Sequence, residues 1–240
     1  MSEANDSSPL INNDKILTKA AIARQDKILK EKNNPSFEEM WNFKLPRRKS
    51  VYLSIFYAAN IDIGSAINWN NKLVDAARTV LNNHNLGLEF LSFDKSPINF
   101  HEEFSLTEHA LECRKLAHQV YDDQINDPKK IKRLPVIYVN AYRTVPYCGQ
   151  SFVDEKTYNW LPFVIIYSNR RTSCIGDEIT LLHEIGHCAG NVHTVRSKSS
   201  VIDDIMMTTE EGFDQKKTPF NRINMNITQV KKIASAYFSH

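Results

Sequence analysis

The chain lacks a long apolar run. Nothing in its 240 residues approaches the roughly 20 consecutive apolar positions of a bilayer-spanning helix. Residues 1–13 are polar, with no cationic start leading into an apolar stretch, so a Sec-type signal peptide is not expected in the sequence as given. Cytoplasmic residence or export by a specialised route fits such a start. Charge of one sign is not in excess either: 30 Lys and Arg face 28 Asp and Glu, a formal net charge of +2. That balance speaks against nucleic acid or a membrane surface as partner. Cysteine is scarce. The four present, Cys113, Cys148, Cys174 and Cys188, form no Cys-x-x-Cys pair, which speaks against a zinc ribbon. Buried free thiols are expected for most of them, with Cys148–Cys174 as the one pairing to test. Internal repeats and low-complexity tracts are also absent. The apolar fraction, 42%, is ordinary for a globular chain and suffices for one domain with an extension.

One segment stands out. Residues 183–193 read His183-Glu184-Ile185-Gly186-His187-Cys188-Ala189-Gly190-Asn191-Val192-His193. Two histidines four apart on a helix project from one face, one turn apart, and can share a zinc ion at roughly 2.0–2.1 Å per nitrogen. Glu184 then points beside the metal rather than at it, where a general base for the hydrolytic water belongs. Gly190 can take a positive φ, end the helix and carry His193 back as a third ligand. Three protein ligands leave a position open, the mark of a catalytic rather than a structural site. The alternative is a surface helix with incidental histidines. Against it stands Ile179-Thr180-Leu181-Leu182, an apolar lead into His183 that suits a buried helix.

The run from His183 to His193 resembles the extended zinc motif of the metzincin metallopeptidases. The resemblance implies a methionine in a tight turn beneath the metal, downstream of the third histidine. Asp203-Asp204-Ile205-Met206-Met207-Thr208 offers two candidates, Met206 first and Met207 second. Such a methionine is a packing floor, not a ligand, and is compatible with an ordinary core role. The resemblance further implies an α+β zincin. Its twisted, mostly parallel sheet of four to five strands packs on two long helices, with a zinc cleft and a small C-terminal lobe ending in a helix. Some secreted metzincins block the metal with a pro-segment cysteine. No cysteine precedes Cys113 here, so that device is not expected. Several members place a tyrosine after the methionine turn. Thr208 and Thr209 stand there instead, and Tyr142, Tyr147 and Tyr158 are unranked substitutes. Thr194, after the third ligand, assigns no subfamily.

The order of elements supports the same layout from residue 49 onward. Residues 1–48 read as an extension: polar through 13, then a charged helix over 14–32 with a narrow apolar stripe, stopped at Asn33-Asn34-Pro35. Residues 49–240 form the catalytic domain. Strands are expected at 51–59, 88–93, 134–140 and 163–168, with a short edge strand at 154–158. Helices are expected at 65–82, from a capping box at Ser105–Glu108 to 121, from 176 or 177 to 189, and from 226 to 238. The helix after Ser105 departs from the plainest metzincin layout. By analogy with the family, an extended peptide pairs with an edge strand between Tyr142 and Tyr158, starting near Cys148-Gly149-Gln150-Ser151, and residues 207–213 wall the adjoining pocket.

The implied activity is zinc-dependent hydrolysis of peptide bonds, with Glu184 as general base and a protein or peptide as substrate. The alternative is a secreted or injected toxin-type effector using the same domain on a host, competitor or cell-wall target. A secretion apparatus or an inhibitor or immunity protein would then be its partner. A non-catalytic module on this fold is disfavoured by the intact Glu184. Neighbouring genes would separate effector from housekeeping protease.

Overall fold

The computed structural model describes residues 35–58, 61–96, 106–127, 129–139, 148–153, 162–167, 178–195, 204–208 and 224–240. In chain order these form α1 (Phe37–Trp41), β1 (Lys49–Tyr57), α2 (Ile63–Asn82), β2 (Leu86–Lys95), α3 (Leu106–Ile125), β3 (Leu134–Val139), β4 (Gly149–Phe152) and β5 (Phe163–Tyr167). They continue with α4 (Thr180–Cys188), β6 (Thr194–Val195), β7 (Met207–Thr208) and α5 (Ile227–Ser235). The helix expected over 14–32, the capping serine at 105 and the strand expected over 154–158 lie outside these residues.

The architecture is mixed α/β. Five strands form one sheet in the order β2-β1-β3-β5-β4, and a second, two-stranded sheet pairs β6 with β7. Within the large sheet β1, β2, β3 and β5 are parallel, and only the edge strand β4 runs antiparallel, on β5. Each of the six residues of β3 and the five of β5 is buried. A strand covered on both faces reads as a continuous apolar run, which Leu134-Pro135-Val136-Ile137-Tyr138-Val139 is.

Alternation along these strands separates two cores. Val136, Tyr138, Val164 and Ile166 join Val51, Leu53 and Ile55 beneath α2, α4 and α5. Ile137, Val139, Phe163, Ile165 and Tyr167 face the other way, onto Cys113, Leu116, Ala117 and Tyr121 of α3. The two long helices therefore take opposite faces of the sheet, α2 with the histidine-bearing α4 on one and α3 on the other. The added helix α3 has an apolar stripe of its own, and it needs a face that α2 has not already covered.

The chain end returns to the sheet. The Asn226 side chain caps α5 by accepting from Thr228 N and Gln229 N, and Gln229 Oε1 accepts from Asn226 N in return. Beyond α5, Tyr52 N donates to Phe238 O, and Ser50 and His240 exchange two backbone bonds. These residues occupy the flank of β1 ahead of its pairing with β3, which begins at Leu53. No separate C-terminal lobe is visible among the described residues, and 209–223 lie outside them.

Residues ahead of β1 are docked on the domain. His84 Nδ1 lies 2.7 Å from Phe43 O, Asn85 Nδ2 donates to Leu45 O at 3.0 Å, and Phe43 and Leu45 pack against the larger core. No described helix is long and apolar enough to cross a membrane.

Candidate metal centre

Helix α4 is short and amphipathic in an unusual way. Leu181, Leu182 and Ile185 enter the larger core, while His183 and Glu184 are buried on the neighbouring face and His187 is half-buried. The helix ends at Ala189 through Gly190, whose φ is 82°. Gly190 N donates to His187 O at 2.8 Å and Asn191 N to Gly186 O at 2.9 Å. That pair of bonds is the Schellman closure, which requires a left-handed residue where Gly190 stands. The reversal brings His193, exposed at its edge, over the helix.

The three histidines converge. Nε2 of His187 lies 3.1 Å from that of His183 and 2.8 Å from that of His193, and the remaining pair is 3.2 Å apart. A tetrahedral zinc ion with nitrogens at 2.0–2.1 Å would set them about 3.3 Å apart. The far nitrogens of two rings are already committed. His183 Nδ1 donates to Ile205 O at 2.6 Å and His187 Nδ1 to Asn191 O at 3.0 Å. A carbonyl only accepts, so each Nδ1 carries the proton and each Nε2 presents a lone pair. Lone pairs aimed at one point call for a cation between them. Burial, with a smaller contribution from His193, holds His187 below its ordinary 6.5 against the opposing pull of the Asn191 carbonyl. The neutral ring is the form that binds metal. The residues thus fit a metal ion, and three imidazoles are a donor set suited to zinc, copper, iron or nickel.

Glu184 is 7% exposed and lies against the edge strand: a Cβ built on Gly149 would stand 3.0 Å from Glu184 Cγ and 2.8 Å from Thr180 Cγ2. Glycine at 149 therefore lets β4 pass directly over the carboxylate's stem. The edge strand falls at 149–152, inside the stretch expected for it, and its start is the Cys148-Gly149-Gln150-Ser151 segment. Tyr142, Tyr147 and Tyr158 lie outside the described residues, as do 209–213 of the expected pocket wall.

Met206 is fully buried, and its sulfur lies beneath the helix: a Cβ on Gly186 would come within 2.5 Å of Met206 Sδ. Of the two candidates, Met206 thus packs against the helix at Gly186, while Met207 belongs to β7. Gly186 was not singled out from sequence, and its position between the two ligating histidines was the available signal. Cys188 points away from the histidines, its thiol directed at Phe163 O 3.8 Å away and pushed well up in pKa by burial. Cys113 and Cys188 are free and buried, whereas Cys148 is disulfide-bonded. Cys174 lies outside the described residues.

No protein-family model and no curated protein matches this chain. Among solved structures it is similar to metalloproteinase-II from Bacteroides fragilis, at 11% identity and a TM-score of 0.43, over 80% of this chain and 56% of that one. It is also similar to a zinc-dependent peptidase from Methanocorpusculum labreanum, at 12% identity and a TM-score of 0.44, over 75% of this chain and 99% of that one. The chain thus spans little more than half the length of the Bacteroides protein. At such distances what the site does follows from its own residues.

Proposed function

We propose that the chain is a zinc metallopeptidase of metzincin type, hydrolysing peptide bonds in a protein or peptide substrate. The observation that carries this reading is the convergence of three Nε2 atoms within 3.2 Å, two of them oriented by backbone carbonyls, beside a buried glutamate. His183, His187 and His193 would hold the zinc. When bound, zinc supplies Lewis acidity and lowers the pKa of a coordinated water toward about 7. Glu184 accepts the proton of the attacking water and delivers it to the leaving amine, one carboxylate serving both directions of transfer. Its burial beside β4 keeps it out of bulk solvent, and the outer edge of β4, which pairs with no strand among the described residues, offers backbone groups for pairing with an extended peptide.

The test is a pair of variants. His187→Ala should lose the one zinc per chain found by elemental analysis. Glu184→Gln should keep the metal and lose hydrolysis of a casein-type substrate by about 10²–10⁴-fold, the usual contribution of a general base. Zinc retained in the first variant, or near-normal hydrolysis in the second, would sink the assignment.

A second reading, an effector carrying this hydrolase domain outside the cytosol, is favoured by one observation. Cys148 is disulfide-bonded, and such bonds persist in oxidising compartments.

A further inference from the structure

We propose that Asp204 is the positioning residue of the metal centre, holding the third ligand, His193, against the turn that supports the other two. The inference rests on the metal-site reading above. Asp204 is 3% exposed, yet it carries a carboxylate. Burying such a group is costly unless its oxygens accept several hydrogen bonds. They do. Thr194 Oγ1 lies 2.9 and 3.0 Å from the two oxygens, Met206 N donates to Oδ1 at 2.7 Å, and Gln229 Nε2 donates to the same oxygen at 3.2 Å. Three separate segments meet on one side chain: the residue after His193, the methionine turn and the closing helix α5.

The geometry around that carboxylate explains what it holds. Asp204, Ile205 and Met206 are consecutive, and each serves a different part of the histidine cluster. Asp204 grips Thr194, the neighbour of His193. Ile205 O orients His183. Met206 lies under Gly186, between His183 and His187. Thr194 N also donates to Met206 O at 2.9 Å, which starts the β6–β7 pairing. His193 stands at the exposed end of the cluster. Val192 just ahead of it is 72% exposed, and among the described residues this stretch does not enter the apolar core. Beside that backbone bond, the Thr194–Asp204 link adds a side-chain anchor on the C-terminal side of His193. Gln229 in turn ties the carboxylate to α5, whose Val230 and Ile233 are seated in the larger core.

The experiment compares zinc affinity and the visible spectrum of the cobalt-substituted full chain across four proteins: wild type, Asp204→Ala, Thr194→Val and Thr194→Ser. Second-sphere groups typically change metal affinity by about 10–100-fold. Asp204→Ala and Thr194→Val should weaken zinc binding within that range, and their cobalt forms should lose band intensity as His193 leaves a four-coordinate site. Thr194→Ser, which keeps the hydroxyl, should restore both. Thr194→Val is nearly isosteric, so this arm survives even if Asp204→Ala does not fold. Native affinity and spectrum in Thr194→Val would overturn the proposal, as would a loss that Thr194→Ser fails to restore. A lower melting temperature of the metal-free protein with unchanged affinity would also overturn it, since that describes a residue serving the fold alone. A wild-type chain that takes up no zinc would sink the peptidase reading itself, an outcome distinct from all of these.

Discussion

Substitution at Gly190 isolates a backbone effect at the metal centre. A Cβ built there meets no heavy atom within 4 Å, so no clash accompanies Gly190→Ala. What changes is the cost of holding φ at 82°. An L-residue pays about 1–2 kcal/mol for the left-handed region, asparagine less and a β-branched residue more. If the turn holds, that amount comes off folding stability. If it relaxes, the Schellman bonds from Gly190 N and Asn191 N break, the Asn191 carbonyl leaves His187 Nδ1, and His193 shifts. Either way the folded, metal-loaded state should lose roughly 1–2 kcal/mol in Gly190→Ala, about 5–30-fold in its equilibrium constant. Urea unfolding with and without zinc, together with competition against a chromogenic chelator, separates the two responses. The expected order of damage is Gly190→Asn, then Gly190→Ala, then Gly190→Val. An alanine variant equal to wild type in both assays would refute the reasoning. So would equal damage in all three, because a conformational cost must rank them.

Other perturbations probe the surroundings. Met206→Leu keeps the volume and should cost less than ~1.5 kcal/mol, lowering the melting temperature with modest loss of activity. Gly186→Ala should be worse, since its Cβ would sit 2.5 Å from Met206 Sδ, and wild-type stability there would mean that the sulfur swings aside. Removing residues 1–34 should leave zinc content and peptide hydrolysis at full-length values, because the docked Phe43 and Leu45 remain; a many-fold rise in hydrolysis would instead identify an autoinhibitory segment. His84 is held below its ordinary 6.5 chiefly by burial, with its hydrogen bond to Phe43 opposing and Lys44 adding to the fall. The unfolded chain therefore binds the extra proton first, so stability should decline as pH drops through 6.5 and level off below the folded-state value. His84→Gln should remove that part of the decline in urea titrations, and an identical pH profile in the variant would contradict it.

The sequence by itself determined the parts of this protein that depend on short separations. Histidines four apart on a helix share a face by helical geometry, and a glycine three residues later turns the chain by its own φ preference. The strands at 49–57, 134–139 and 163–167 were legible because β-branched and aromatic runs suit a buried sheet. Only the tertiary structure decided which face of the sheet each helix covers. Strands buried on both sides read as unbroken apolar runs, and such a run carries no record of which neighbour lies above and which below. The same holds for β4, four residues long, whose antiparallel direction is set by β5 rather than by its own composition. Asp204 is the clearest case. Beside Asp203 it looks like a solvated surface carboxylate, and its donors Thr194 and Gln229 are 10 and 25 residues distant in the chain. Hydrogen bonds at such separations follow from packing rather than periodicity, and packing is what puts this carboxylate under the third histidine's neighbour.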